Sequence, residues 1–279
     1  MAIPFPVRVG FLVLACMLFI GGYLLLTPPL PQPLAYHNFA DQRPLLGIPH
    51  MLNVVSNLPF LVVGVWGMIW MWRLPPLTRE ARFLEPAEQW AYGLYFLGLA
   101  LTGFGSSYYH ANPNNETLVI DRIGLAITFM ALFTAIVAER LSWQLSAWLV
   151  GPMVALGIGS VLYWHWTDDL RFYLVVQFFP LVALPLLFLF FTPRYTGTAD
   201  MIASLACYGL AKVLEILDAN VYARGGVISG HTLKHLVAGL SAYIVLFMLQ
   251  RRRALVPAAC CMDAGESADA VGTAQGLTR

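Results

Sequence analysis

Two short stretches of this chain set chemically capable side chains four residues apart. The first is Ser229 to His235, SGHTLKH, where His231 and His235 open a long apolar run. The second is Gly105 to His110, GSSYYH, where Ser106 and His110 have the same spacing. Residues four apart share one face of a helix, so each pair points one way. A His-x3-His pair on a helix is a known zinc geometry. HTLKH is not the HExxH pattern, since no glutamate follows His231, and any base has to come from elsewhere. Asp121, eleven residues after His110 and just past the joint ANPNNETLVI, is the candidate. Three neutral imidazoles, from His110, His231 and His235, leave a fourth metal position open. Catalytic zinc has that arrangement, whereas structural zinc is closed by four ligands. Water on such a cation is a nucleophile near neutral pH, Asp121 would take its proton, and Ser106 would donate to a developing oxyanion. Taken alone, the histidine pair has a second reading, as part of a polar belt at the headgroup level of a membrane.

The elements that must position these residues are apolar helices. The chain has 279 residues, 59% hydrophobic and 11% charged, with mean hydropathy +0.69. Soluble domains carry roughly twice that share of charge. A span needs roughly 20 apolar residues. Eight runs qualify, near 9–27, 50–72, 89–110, 118–138, 143–163, 171–192, 200–218 and 231–250, separated by breakers such as TPPLPQP, LPPLT and NPNN. This predicts an all-α polytopic membrane protein in which a seven-helix core, 31–250, follows an N-terminal transmembrane anchor, 1–30, and precedes a disordered tail, 251–279. Arg8 precedes the first run, but no small-x-small cleavage site follows it, so the run reads as an uncleaved anchor. The net charge of +1 gives no reason to expect a nucleic-acid partner. The four cysteines form no CxxC motif and no disulfide framework; Cys260 and Cys261, near the exit of the last span, are candidate acylation sites.

Arginine placement sets the orientation. With the N-terminus cytoplasmic, nine arginines fall in inner segments and only Arg43, Arg171 and Arg224 in outer loops. Both termini are then cytoplasmic and all six histidines lie toward the outer face. Ionisable groups gathered at one membrane level need partners, and a shared cation would serve them. His165, in YWHWTDD, reads as part of an interfacial aromatic belt. Lys212 and Glu215 are one turn apart and read as an internal pair, and Asp218 as a supporting residue beside the site. Asn53 and Asn57 share a face and would bond across helices or shape the mouth of the site.

The set Ser106-x3-His110, Asp121 and His231-x3-His235 resembles the alkaline ceramidases, within the membrane hydrolases that include adiponectin-receptor-like proteins. The phrases NVVSNLPF, GFGSSYYH and SGHTLKHLVAG look most like bacterial ceramidase-like members, and the likeness covers about residues 36–250. It implies a zinc-dependent amidase cutting a ceramide-like N-acyl lipid of the membrane to a fatty acid and a sphingoid-type amine. The three histidines would hold zinc, with Ser106 and Asp121 assisting. It also implies a bacterial cell membrane, with the site near the outer face. Animal members add a calcium site before the first core helix. Here that stretch offers Asp41, Asn38 and Asn53, with His37 and His50 among them and no tryptophan. The calcium expectation rests on those three residues alone. A lipid-sensing receptor or metal transporter of the same architecture, without amidase activity, is the alternative.

Overall fold

The structure is a computed structural model and describes residues 3–142 and 144–255. Cys260, Cys261 and most of the tail expected over 251–279 lie outside the described residues. The chain is an all-helical, polytopic membrane protein. Its helices are α1 (Phe5–Leu26), α2 (Met51–Val55), α3 (Leu58–Trp72), α4 (Pro76–Arg82), α5 (Pro86–Ala111), α6 (Asn115–Arg140), α7 (Gln144–Thr167), α8 (Arg171–Phe190), α9 (Thr198–Ile216), α10 (Asp218–Gly225) and α11 (Gly230–Arg251). A 3₁₀ turn, Leu34–His37, lies between α1 and α2.

Among the described residues, six segments are long and apolar enough to cross a membrane: α1, α2 with α3, α6, α7, α8 and α11. The other two runs expected as spans, 89–110 and 200–218, form α5 and α9, which are not among the six. The reason is composition. α5 ends in small and hydroxyl residues and buries Glu88, Ser106 and His110, while α9 carries Asp200, Lys212 and Glu215. Both helices turn polar groups toward the interior of the bundle, where lipid is not the solvent.

α5 is the central post. It packs against α6 along most of its length and against α3, α2 and α7. The α5–α6 seam is close because glycine lines it. A Cβ on Gly124 would lie 2.6 Å from the Thr102 backbone nitrogen, and one on Gly105 would lie 2.8 Å from the Ile120 carbonyl oxygen. Small residues of this kind let membrane helices approach backbone to backbone. The turn into α6 is held by a capping box, in which Asn114 Oδ1 accepts from Thr117 N at 3.0 Å and Thr117 Oγ1 accepts from Asn114 N at 3.3 Å.

The run expected as one helix over 50–72 breaks at Ser56–Asn57. Pro59 has no N–H to continue the ladder. The Asn53 carbonyl is taken instead by side chains, Asn57 Nδ2 at 2.8 Å and Ser56 Oγ at 3.0 Å.

α1 leaves only Leu12 buried and lies against α8 through Phe11–Phe190, 5.3 Å between ring centroids, and Arg8 Nη1 to Phe190 O at 2.5 Å. The linker after α1 is stitched to the α7–α8 turn. Asp168 accepts from Gln32 N at 3.0 Å, and Leu170 N donates to Leu30 O at 2.8 Å. Beside them the Arg171 guanidinium hydrogen-bonds Asp169 and holds its carboxyl down at about 2. At the opposite end of the bundle Arg252 is fully buried. It pairs with Glu139, donates from Nε to Arg82 O at 2.7 Å and lies 4.1 Å from the Tyr195 ring centroid. Tyr195 in turn hydrogen-bonds Glu88.

Candidate metal centre

His110 sits in the last turn of α5, and His231 and His235 sit in the first two turns of α11. All three are buried, at 1%, 4% and 3% exposure. One ring nitrogen from each lies within 4.8 Å of the others, and His110 Nε2 and His231 Nε2 are 3.2 Å apart. Zinc–nitrogen bonds of about 2.0–2.1 Å in a tetrahedron set ligand nitrogens about 3.3 Å apart. Two imidazole lone pairs facing each other at this distance repel unless a proton or a cation stands between them. The donor set therefore fits a metal ion.

The neighbouring groups orient the rings. His235 Nδ1 lies 2.8 Å from Ser56 Oγ, and that hydroxyl donates to the Asn53 carbonyl. Ser56 therefore accepts from His235, so Nδ1 carries the proton and Nε2 keeps its lone pair. Fixing the tautomer through the second ring nitrogen is how proteins tune histidine ligands. α11 is capped by Ser229 Oγ, which accepts from Thr232 N at 3.1 Å, and Thr232 Oγ1 donates to Asn53 Oδ1 at 2.7 Å. Asp218 accepts from the His231 backbone N–H at 2.7 Å and from Ala40 N at 2.9 Å. One carboxylate thus fastens both the ligand helix and the loop above it.

That loop is the roof. Phe39 is buried, with its ring centroid 4.6 Å from His110 and 4.5 Å from His231. His50, at the left-handed φ of +47°, donates from Nδ1 to the His110 carbonyl at 3.2 Å. His37 bridges Tyr109 OH at 2.8 Å and Asn115 Oδ1 at 3.0 Å. Neither His37 nor His50 belongs to the three-histidine group. Of the three oxygen residues offered for calcium, two are committed elsewhere. The Arg43 guanidinium grips both Asp41 oxygens at 2.8 Å and holds that carboxyl below its usual range, and Asn53 Oδ1 is taken by Thr232.

Below the roof His235 lines a cavity of about 260 Å³. Ser106 and Asp121 line it too. The α5–α6 contact at Gly105 brings the Asp121 backbone nitrogen to 3.1 Å from a Gly105 Cβ position, which sets Ser106 and Asp121 side by side across the seam. Asp121 Oδ1 is left with no protein partner. A second cavity, about 80 Å³ and walled by residues such as Leu99, Phe129, Leu132 and Leu184, shares Phe60, Thr102 and Gln177 with the first. Together they form a passage that is polar at the histidine end and apolar deeper in the bundle.

All five residues expected to act together are therefore gathered in one region, three as a cluster and two on the adjoining wall. Lys212 and Glu215 pair as expected, with Lys234 Nζ added at 2.9 Å from Glu215 Oε1. His165 is 3.8 Å from Glu116, away from the cluster. Sequence reasoning missed Ser56, Phe39 and Arg122. Ser56 stood inside NVVSN, between the two asparagines that drew attention, but pairing it with His235 needs the α11 register against α2. No local signal marks Phe39. Compared with models of known protein families and with curated proteins, the chain matches none.

Proposed function

We propose that His110, His231 and His235 hold zinc and that the protein is an intramembrane hydrolase of N-acyl lipid amides. The observation that carries this reading is the convergence of three buried imidazoles, one of which, His235, lines a cavity that runs from polar to apolar. An amphiphile fits such a passage: its acyl chain lies among the Leu99 and Leu132 side chains and its amide comes to rest near His235, Ser106 and Asp121. Bound zinc supplies Lewis acidity, which polarises a carbonyl and makes water a nucleophile near neutral pH. Asp121, with one oxygen unpartnered, accepts the proton of the attacking water and returns it to the leaving amine nitrogen. Once Asp121 has taken the proton, the Ser106 hydroxyl donates its single hydrogen bond to the oxyanion as the carbonyl becomes tetrahedral. Water's OH ends on the fatty acid and its proton on the amine. Phe39 shields the histidines on the outer side.

In this reading α5 and α9 also cross the bilayer, giving a seven-helix core plus α1. The arginine bias supports cytoplasmic termini and a site near the outer face, and the resemblance to bacterial ceramidase-like proteins supports a bacterial cell membrane.

The test is metal content per chain in detergent-purified protein, for the wild type beside His231→Ala, followed by hydrolysis of a long-chain ceramide with and without chelator. The expected result is about one zinc per wild-type chain, lost in the variant, with turnover abolished by chelation. Well-folded, never-chelated protein without metal would sink the zinc reading, and metal without lipid-amide turnover would sink the amidase reading.

A further inference from the structure

The resemblance to ceramidases implies a substrate with a neutral head, and the cavity argues otherwise. Three cations line it, Arg122, Lys212 and Lys234, against two acids, Asp121 and Glu215. Glu215 is engaged by both lysines. The cavity wall thus carries a cation in excess before any metal is counted. In a low-dielectric site such an excess strongly favours an anionic ligand.

Arg122 is where that excess is left unanswered. It is 5% exposed and lines the cavity one residue after Asp121. Its guanidinium carbon sits 4.0 Å from the Trp164 ring centroid and 4.7 Å from that of Tyr173, so the aromatic faces fix the plane of the fork. Nη2 donates to Gln32 Oε1 at 2.6 Å. Nη1 is buried with no hydrogen-bond partner among the described residues. Buried donors are nearly always satisfied, and the exceptions call for an explanation. A role confined to pinning the linker through Gln32 accounts for Nη2 and leaves Nη1 idle. A planar guanidinium on a cavity wall, with one nitrogen unpartnered, suits a carboxylate.

We propose that Arg122 binds the anionic head of the substrate, and that the substrate class is long-chain N-acyl amino acids, whose carboxylate lies one carbon from the amide nitrogen. The pairing of roles follows from sequence: Asp121 serves the amide and Arg122, its neighbour on α6, serves the carboxylate beside it. The cleaved products are a fatty acid and an amino acid. The substrate assignment rests on the hydrolase reading; the recognition of a carboxylate does not.

The test separates the two. The ketomethylene analogue of N-palmitoylglycine cannot be hydrolysed, so its binding reports head recognition whether or not the protein is an amidase. Its affinity for purified, metal-loaded protein is measured against that of its own primary amide and of palmitate, in wild type, Arg122→Gln and Lys212→Met. In the wild type the carboxylate should bind at least about tenfold tighter than the amide, as expected for hydrogen bonds to a charged group. Arg122→Gln should bring that ratio to near one while affinity for the amide holds. A wild-type ratio near one overturns the proposal without recourse to any variant. So does a fall of both affinities together in Arg122→Gln, which marks a structural role. Loss of the ratio in Lys212→Met alone would move the site to the lysines, and palmitate binding as tightly as the analogue would assign the cation to a fatty-acid carboxylate; either result overturns it. Cleavage of N-palmitoylglycine in preference to ceramide then tests the substrate class.

Discussion

Ser56 and Asp121 show how single side chains divide the work of the site. Ser56 touches the metal centre only through His235 Nδ1, at 2.8 Å. Ser56→Ala removes the acceptor that fixes the ring, and metal affinity should fall about 10–100-fold, the usual loss for an outer-shell partner. Competition with a metal-binding dye would measure it, and unchanged affinity would show that Ser56 does not orient the ring. Asp121 stands on the cavity wall, outside the cluster. Asp121→Asn should therefore keep its zinc while turnover drops about 10²–10⁴-fold. Loss of metal together with turnover would instead make Asp121 part of the metal site. The histidines and Asp121 were legible from residue type and helical spacing, because four residues make one face. Ser56 was not, since its partner is 179 residues away.

At the scale of elements, the α5–α6 seam decides whether Ser106 and Asp121 meet. Their helices touch backbone to backbone where Gly105 and Gly124 leave no Cβ in the way. Gly124→Ala puts a methyl 2.6 Å from the Thr102 nitrogen, which belongs to a rigid helix and cannot swing aside. Overpacking of this kind costs about 1–3 kcal/mol, and the seam must also open. Thermal unfolding in detergent should show a lower midpoint for Gly124→Ala and none for Gly159→Ala, whose added methyl meets nothing within 4 Å. Equal midpoints would mean that the seam is not tight. The same geometry explains why the hydropathy of α5 understates its place in the bundle. Its glycines, serines and buried Glu88 are there for contact with other helices. The break at Ser56–Asn57 was masked for a related reason, since a Pro-initiated helix leaves the hydropathy of 50–72 unchanged.

Across the whole molecule, the two ends of the bundle hold their charges differently. The histidine end keeps cations and acids around an open cavity. The far end closes Arg252 among Glu139, Tyr92, Tyr195 and Phe83. This knot ties the end of α11 to α5 and α6, and α11 carries two of the three metal-site histidines. Removing one partner of a buried pair costs about 3–5 kcal/mol because the other charge stays behind. Glu139→Ala should lower the unfolding midpoint in denaturant while leaving zinc stoichiometry intact in the folded fraction, because the knot lies at the opposite end of the bundle from the histidines. A stability equal to that of the wild type would show that Arg252 finds solvent instead.

The sequence alone determined the class of the molecule and singled out the three histidines that the structure brings together. Both are properties of local pattern: long apolar runs demand helices in lipid, and a spacing of four sets side chains on one face. What only the tertiary structure decided is which faces look at each other. His110 meets His231 across 121 residues of sequence, Ser56 meets His235 across 179, and Asp218 joins two segments through backbone N–H groups that no side-chain motif records. Arg122 stood in plain view at the start of α6, yet its exposure, its aromatic neighbours and its unpartnered nitrogen belong to the packed bundle. Distances between helices are set by the residues that fill or leave the seams, and a linear pattern does not carry them.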